Sequence, residues 1–218
     1  MKMFPIFAVV LGCVWLSCFG VAEANKLDKK AEPVASMPLS PSGEWSMEKI
    51  LTLNRAQLFD IWKKLPAAPM RELDGHYMGL VPNAGKPSEQ AQTTNFMYNE
   101  KSVRGYWLGK AYKAHSDKKG EGYNRWRFPK GKVVRNLRFG TEMGKSLIDG
   151  KPSLMMYYGA FNPDSDLVDE IRKLDDYVYI GVGTREAADG KRTDPVGGIF
   201  MLLGPMDEWV GVDDEPSN

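Results

Sequence analysis

The feature that most constrains the fold is a series of short segments in which large apolar side chains alternate with polar ones. Turn sequences such as "SDKKGEG", "PKGK" and "IDGKP" separate these segments. The predicted strands are residues 75–81, 105–114, 123–128, 132–139, 153–161, 177–183 and 197–203. A two-residue period is typical of β-strands, and such turns favour antiparallel neighbours. The sequence therefore predicts one antiparallel sheet that closes into a barrel, because closure removes exposed edges.

Two further segments have the apolar spacing of amphipathic helices. The first, "TLNRAQLFDIWKKLPAAP", has Asn54 as its predicted N-cap and ends at Pro66. The second, "NPDSDLVDEIRKLDD", has Asn162 as its predicted N-cap and Pro163 at the first helical position. The predicted fold class is mainly β (α+β), a single antiparallel β-barrel with a short N-terminal helix and one helix between late strands.

The N-terminal residues have the pattern of a secretory signal. Lys2 precedes an apolar run that ends near the small-residue cleavage site Ala22-Glu23-Ala24; an uncleaved membrane anchor is the alternative. The predicted organisation is a signal peptide (1–24), a flexible leader (25–44), the barrel domain (45–205) and an acidic disordered tail (206–218). We therefore expect an exported protein, either periplasmic or secreted.

Both cysteines of the chain, Cys13 and Cys18, lie inside the predicted signal. The folded part therefore has no cysteine for a disulfide, which suits a bacterial periplasm. The sequences "VLGC" and "WLSC" are imperfect lipoboxes. A lipoprotein tethered to the membrane through Cys18 is therefore the alternative to a soluble exported protein.

The charge is nearly balanced, with 29 Lys and Arg against 28 Asp and Glu, so no general affinity for polyanions is expected. Residues 113–138 combine basic and aromatic side chains, but strand alternation places most of these charges on an outer face. We predict no nucleic-acid partner. The alternative role for these charges is contact, at the barrel mouth, with anionic lipid headgroups of the envelope membrane or with an acidic group of a ligand.

Only two histidines occur, His76 and His115, and neither has a second histidine or a cysteine at metal-ligand spacing. We predict no metal site and no cofactor. His76 is predicted to be a surface residue, because it points away from the face that carries Tyr77. If both faces of that strand are covered, His76 becomes a candidate acid or base.

Three segments together resemble a known family. The first contains Gly75-His76-Tyr77-Met78-Gly79 and resembles the GXWXG motif, with Tyr in place of Trp, and "GYWLGKAYKA" resembles the Trp-x-Gly-Lys strand of that family. The segment "SLMMYYGAFNPDSDLVDEIRKLDDYVYIGVGT", followed by "GGIFMLLGP", resembles the accompanying DUF4334 domain. The resemblance covers most of residues 53–205. It implies a lipocalin-like barrel by analogy of fold, and no particular chemistry.

The two glycines around Tyr77 predict a packing role for this ring. Gly75, Tyr77 and Gly79 share one face of a strand, so the missing side chains leave room for a ring that closes one end of the barrel. The alternative is that Tyr77 contacts a ligand.

The leading functional hypothesis is a binding protein that carries or sequesters an apolar or amphipathic, lipid-like small molecule in the barrel. The predicted pocket residues are Tyr77, Trp107, Tyr112, Met155, Met156, Tyr157 and Tyr158. One alternative is an isomerase or cyclase of a hydrophobic substrate, with His76, Tyr77 and Tyr158 as candidate acids or bases. A further alternative is a non-catalytic accessory protein of an envelope complex, with its barrel filled by side chains. The sequence favours a non-enzymatic role and gives no oligomeric state.

Overall fold

The structure is a computed structural model that describes residues 45, 47–82 and 86–213. The predicted signal peptide (1–24) and leader (25–44) lie outside the described residues. The helices are α1 (Met47–Leu51), α2 (Arg55–Trp62) and α3 (Pro87–Met97). The strands are β1 (Gly75–Leu80), β2 (Tyr98–Asn99), β3 (Gly105–Ala114), β4 (Lys119–Arg127), β5 (Val133–Lys145), β6 (Pro152–Tyr157), β7 (Val168–Asp175), β8 (Val178–Thr184) and β9 (Ile199–Asp207). Within the described ranges, no helix has the length and apolarity that crossing a membrane requires.

Eight of these strands form a closed antiparallel barrel. Their order is β1-β9-β8-β7-β6-β5-β4-β3, and β3 pairs back with β1, as in the register of Tyr77 with Lys110. The short β2 pairs only with the beginning of β3. The predicted single antiparallel barrel is confirmed, and closure pairs each of these eight strands on both sides.

The prediction of a helix between late strands is wrong, because the second half of the predicted segment forms strand β7. β7 pairs with β6 on one side and with β8 on the other. Ile171 faces the barrel interior, whereas the flanking Glu170 and Arg172 are fully buried on the outer side. Charged residues at buried outer positions hide the two-residue period, so the apolar residues alone show a helical spacing.

The predicted N-terminal helix is confirmed as α2, with Asn54 and Gln57 forming a reciprocal capping box. Helix α2 and α1 pack on the outer face of β8 and β9. Leu58 and Trp62 contact this face, and a second apolar core lies there. Helix α3 was not predicted, because its sequence has no apolar stripe and it buries no residue.

One end of the barrel is closed by aromatic side chains and a 3₁₀ turn, Met70–Leu73. Tyr77 is fully buried there, with its ring edge-on to Tyr112 and Tyr179 at 5.7 and 5.6 Å. Its hydroxyl donates to the Glu72 carbonyl at 3.0 Å. Tyr77 therefore packs across the closed end of the barrel.

The predicted reason for the flanking glycines needs correction, because the ring that needs the space beside Gly79 is Trp107. A Cβ on Gly79 would lie 2.5 Å from the Trp107 ring and 2.7 Å from the Gly109 Cα. Gly75 has a φ of +112° and passes close to the Asp207 carbonyl. These glycines let β1 approach β3 and β9 closely.

The prediction of a disordered tail from residue 206 is wrong for residues 206–213. Strand β9 continues to Asp207, and the Trp209 ring lies 4.6 Å from that of Tyr123. Asp213 accepts a hydrogen bond from the Arg135 backbone N–H at 2.8 Å. This C-terminal segment, residues 208–213, packs on the outside of β4 and β5. Residues 214–218 lie outside the described residues.

Candidate ligand-binding cavity

A cavity of about 890 Å³ opens at the end of the barrel opposite the Met70–Leu73 turn. Its wall is formed by α3, by the ends of the strands and by their connecting loops. Its apolar lining is Val81, Phe96, Met97, Val103, Trp107, Trp126, Phe128, Leu137, Leu167, Ile199 and Phe200. The barrel is therefore only partly filled by its own side chains. The accessory-protein hypothesis, in contrast, expected a barrel that side chains fill completely.

The deepest polar group of the cavity is a buried ion pair between Lys110 and Asp169. Their side chains are 4% and 6% exposed, and Lys110 Nζ lies 2.9 Å from Asp169 Oδ2. Lys110 also donates to Asn124 Oδ1 at 3.0 Å and to the Tyr158 hydroxyl. The Tyr158 hydroxyl donates to Asp169 at 2.9 Å, and Trp107 Nε1 donates to Asn124 at 3.1 Å. The pair is thus embedded in a hydrogen-bonded network, as buried charges require.

A β-bulge brings Lys110 into the interior. The register of β3 with β4 shifts between Trp107 and Gly109, and Gly109 has a φ of +127°. An extra residue in one strand reverses the alternation beyond it. Trp107, Lys110 and Tyr112 therefore all face inward.

Burial shifts the pKa values of Lys110 and Tyr158. Desolvation lowers the pKa of Lys110, whereas the charge and hydrogen bond of Asp169 act in the opposite direction. Burial, followed by the charge of Asp169, raises the pKa of Tyr158 well above its ordinary value, so Tyr158 is a neutral phenol. The Lys110 ammonium lies 5.1–5.2 Å from the ring centroids of Phe139, Tyr158 and Phe200, which stabilises its charge.

Two polar atoms of the cavity wall have no hydrogen-bond partner among the described residues. They are Trp126 Nε1, on a side chain that is 4% exposed, and Asn136 Oδ1. The Lys110 network is satisfied internally, whereas these two buried atoms of cavity-lining residues remain without a partner.

The structure brings together only some of the residues predicted for the pocket. Trp107 and Tyr158 line the cavity. Tyr77, Tyr112 and Met156 lie in the packed interior beneath it. Met155 and Tyr157 flank the inward-facing Met156 and lie on the outer side of β6, where Tyr157 is 36% exposed. Met155 and Tyr157 therefore do not line the pocket.

The predicted surface position of His76 is wrong. This side chain is 4% exposed and shares a hydrogen bond of 2.6 Å with the Tyr123 hydroxyl. The same hydroxyl accepts from the Val210 and Gly211 backbone N–H groups at 3.4 and 3.3 Å. The C-terminal segment therefore covers His76 on the outside of the barrel. Neither His76 nor Tyr77 reaches the cavity, so Tyr158 is the one predicted acid or base that lines it.

Sequence reasoning missed Lys110, Asp169 and Asn124. Lys110 follows Gly109 within "WLGKAYKA", and a glycine inside an alternating strand is a signal for a bulge. Asp169 had no such signal, because its segment was interpreted as a helix. Across residues 45, 47–82 and 86–213, no three His, Cys, Asp or Glu side chains lie close enough together to hold a metal ion. The arrangement can hold an apolar body, hydrogen-bond to its polar group and exchange a proton with it.

No protein-family model matches the chain, and no curated protein matches it. Among solved structures, a protein from Thermomonospora curvata is 17% identical, with a TM-score of 0.48 over 72% of this chain and 94% of its own. Odorant Binding Protein OBP1 is 13% identical, with a TM-score of 0.34 over 66% of this chain and 78% of its own. A bovine odorant binding protein in complex with its natural ligand is 14% identical, with a TM-score of 0.33 over 67% and 77% of the two chains. At this level of similarity none of the three bears on what this chain binds, and the resemblance to GXWXG and DUF4334 domains stays a prediction.

Proposed function

We propose that the protein binds an apolar or amphipathic small molecule inside the barrel and carries or sequesters it. The observation that carries this proposal is the cavity of about 890 Å³ with its aromatic and aliphatic wall. Small-molecule sites commonly have volumes of about 300–1,000 Å³ and such linings. Burial of apolar ligand surface contributes roughly 25 cal/mol per Å², before the cost of association.

A matched pair of variants tests this proposal. Leu167 lines the cavity and packs against the interior core, so Leu167→Trp fills part of the cavity. Leu147 is 49% exposed in the β5–β6 turn near the closed end, so Leu147→Trp leaves the cavity unchanged. With a hydrophobic fluorescent probe, we expect Leu167→Trp to weaken binding at least about tenfold, or about 1.4 kcal/mol. Equal affinities for the two variants would place the bound probe elsewhere.

A second candidate function is acid–base catalysis on a bound hydrophobic molecule, as in an isomerase or cyclase. It is favoured by the presence of Lys110, Asp169 and Tyr158 in the cavity, where a positioned side chain can transfer a proton. The test is mass spectrometry of ligands extracted from the protein before and after incubation. Catalysis requires a product that forms with the wild type and not with Tyr158→Phe, whereas a chemically unchanged ligand supports carriage.

Export is part of the proposed function, and it is supported by the apolar run after Lys2 and by Ala22-Glu23-Ala24. The N-terminus of the mature protein distinguishes the alternatives. Cleavage predicts a protein that begins at Asn25, whereas a lipoprotein would begin at a lipidated Cys18. Intact-mass spectrometry of the protein from its own envelope separates the two, and a retained residue 1 would contradict both.

We also propose that the mouth of the barrel contacts an anionic membrane. Val103 and Phe96, on the cavity rim, are 98% and 52% exposed, and Arg104 lies over the Phe96 ring at 4.3 Å. Apolar side chains beside a basic group favour the headgroup region of an anionic bilayer. Co-sedimentation with anionic vesicles is expected to fall for Val103→Asp. Equal sedimentation of this variant and the wild type would contradict the contact.

A further inference from the structure

The two unpartnered atoms of the cavity wall point to the polar group of the ligand. Buried polar atoms almost always have a hydrogen-bond partner, and leaving one without a partner is unfavourable. Trp126 Nε1 and Asn136 Oδ1 have none among the described residues, although both residues line the cavity. An indole N–H is a donor only, whereas the amide oxygen is an acceptor. Together the two atoms offer one donor and one acceptor to a bound molecule.

Trp126 and Asn136 are near neighbours on the same face of the sheet. In the pairing of β4 with β5, Trp126 is opposite Val134 and Asn124 is opposite Asn136. Trp126 and Asn136 are therefore diagonal neighbours, for which Cα atoms lie about 7–8 Å apart and side chains lie within reach of each other. A hydroxyl group accepts and donates at once, so it can satisfy both atoms.

The charges of the cavity disfavour an anionic group at this depth. The three N–H donors of Lys110 are directed at Asp169, Asn124 and Tyr158, and Asp169 balances its charge. A ligand carboxylate would have to break this network or remain buried without a counterion, near the carboxylate of Asp169. At the rim, Arg185 is paired with Asp166, and the other cation, Arg104, lies over the Phe96 ring, away from the deep part of the cavity.

We infer that the cavity selects a neutral amphiphile with a hydroxyl group, a long-chain or alicyclic alcohol, and holds that hydroxyl between Trp126 and Asn136. The inference rests on the proposed function and names the class of ligand at the same site. The carboxylic acid with the same carbon skeleton binds more weakly, because its ionised group finds no unpaired cation in the deep part of the cavity.

The test compares dodecan-1-ol with dodecanoate at pH 8, each displacing a hydrophobic fluorescent probe from the full chain. We expect the alcohol to bind at least about tenfold more tightly. If dodecanoate binds as tightly as the alcohol, or if the probe binds and neither dodecyl compound displaces it, the alcohol class is wrong and the binding function stands. If the probe itself does not bind, the proposed function fails as well.

Two variants locate the hydroxyl. Trp126→Phe keeps an aromatic ring and removes the N–H, so we expect alcohol affinity to fall about three- to tenfold, and by more than the affinity for the probe, which loses only ring contact. The control is Trp62→Phe, which removes an equally unpartnered indole N–H from the outer core. Asn136→Leu is the second variant, with circular dichroism to verify folding. Alcohol affinity that stays at the wild-type value in both cavity variants would overturn this inference.

Discussion

At the scale of single residues, the main polar feature of the cavity is the buried ion pair of Lys110 and Asp169. Lys110 and Asp169 form an ion pair inside an aromatic interior where each has further polar partners, and removal of one partner leaves the other group without compensation. Asp166 and Arg185 form an ion pair of the same type on the surface, with side chains 43% and 49% exposed. Exposed pairs contribute little, because water solvates both charges.

Asp169→Asn is therefore expected to lower the free energy of unfolding by about 3–5 kcal/mol. Asp166→Asn, the matched control on the surface, is expected to lower it far less, because water already solvates both charges of that pair. Urea denaturation measures both. Similar losses in the two variants would mean that the interior pair is hydrated and contributes no more than the surface pair.

His76 is expected to make the protein less stable in acid. Burial lowers the pKa of His76, with Arg125 and Arg135 acting in the same direction and Asp207 against them. As the pH falls below the ordinary histidine pKa of about 6.5, the unfolded chain takes up a proton that folded His76 does not. The free energy of unfolding therefore decreases, and this loss is complete below the folded pKa. Between pH 7.5 and 5.5, His76→Gln should show a smaller decrease than the wild type in urea denaturation; an equal decrease would contradict the argument.

At the scale of the elements, close approach between β1 and β3 depends on Gly79. Gly79→Ala would place a Cβ against the Trp107 ring and the Gly109 backbone. We expect a loss of about 1–3 kcal/mol in the free energy of unfolding. Gly197→Ala is the control, because nothing lies within 4 Å of the added Cβ. Thermal denaturation compares the two, and a neutral Gly79→Ala would mean that the Trp107 ring moves freely.

Helix α3 is expected to open more easily than the barrel. It buries no residue, yet Phe96 and Met97 line the cavity. Its amide hydrogens should exchange faster than those of β8 and β9, which carry both cores, and should slow when a ligand binds. Hydrogen exchange with mass spectrometry measures this. Slow exchange of the α3 amides in the ligand-free protein would show that α3 does not open more easily than the barrel.

The sequence predicted the elements with regular alternation and missed those where burial and charge conflict. Strand β3 was predicted with its observed bounds, and α2 with its N-cap Asn54. The position of Lys110 depends on the bulge at Gly109, which reverses the alternation within one strand. Strand β7 was missed because Glu170 and Arg172 are buried polar residues. Their partners come from distant segments, such as Asp149 for Arg172, and no local pattern reveals them.

For the whole molecule, ligand binding should stabilise the complete barrel, because the cavity exists only in the folded state. At a free ligand concentration of 100 times Kd, the stabilisation is about 2.7 kcal/mol. For a chain of this size it corresponds to a rise in Tm of about 5–10 °C. Differential scanning fluorimetry with dodecan-1-ol checks this rise. Leu167→Trp should show only a small rise in Tm with the same ligand. A full rise in that variant would mean that the ligand binds outside the cavity.

The closed end built by Tyr77 and the Met70–Leu73 turn bears on the proposed carrier function, because a bound molecule and its replacement would have to use the same opening. A barrel open at both ends would let one molecule enter while another leaves. A barrel closed at one end has to release its ligand before it takes up the next one. For the proposed carrier, the receiving surface would then have to meet the same rim through which the ligand was loaded.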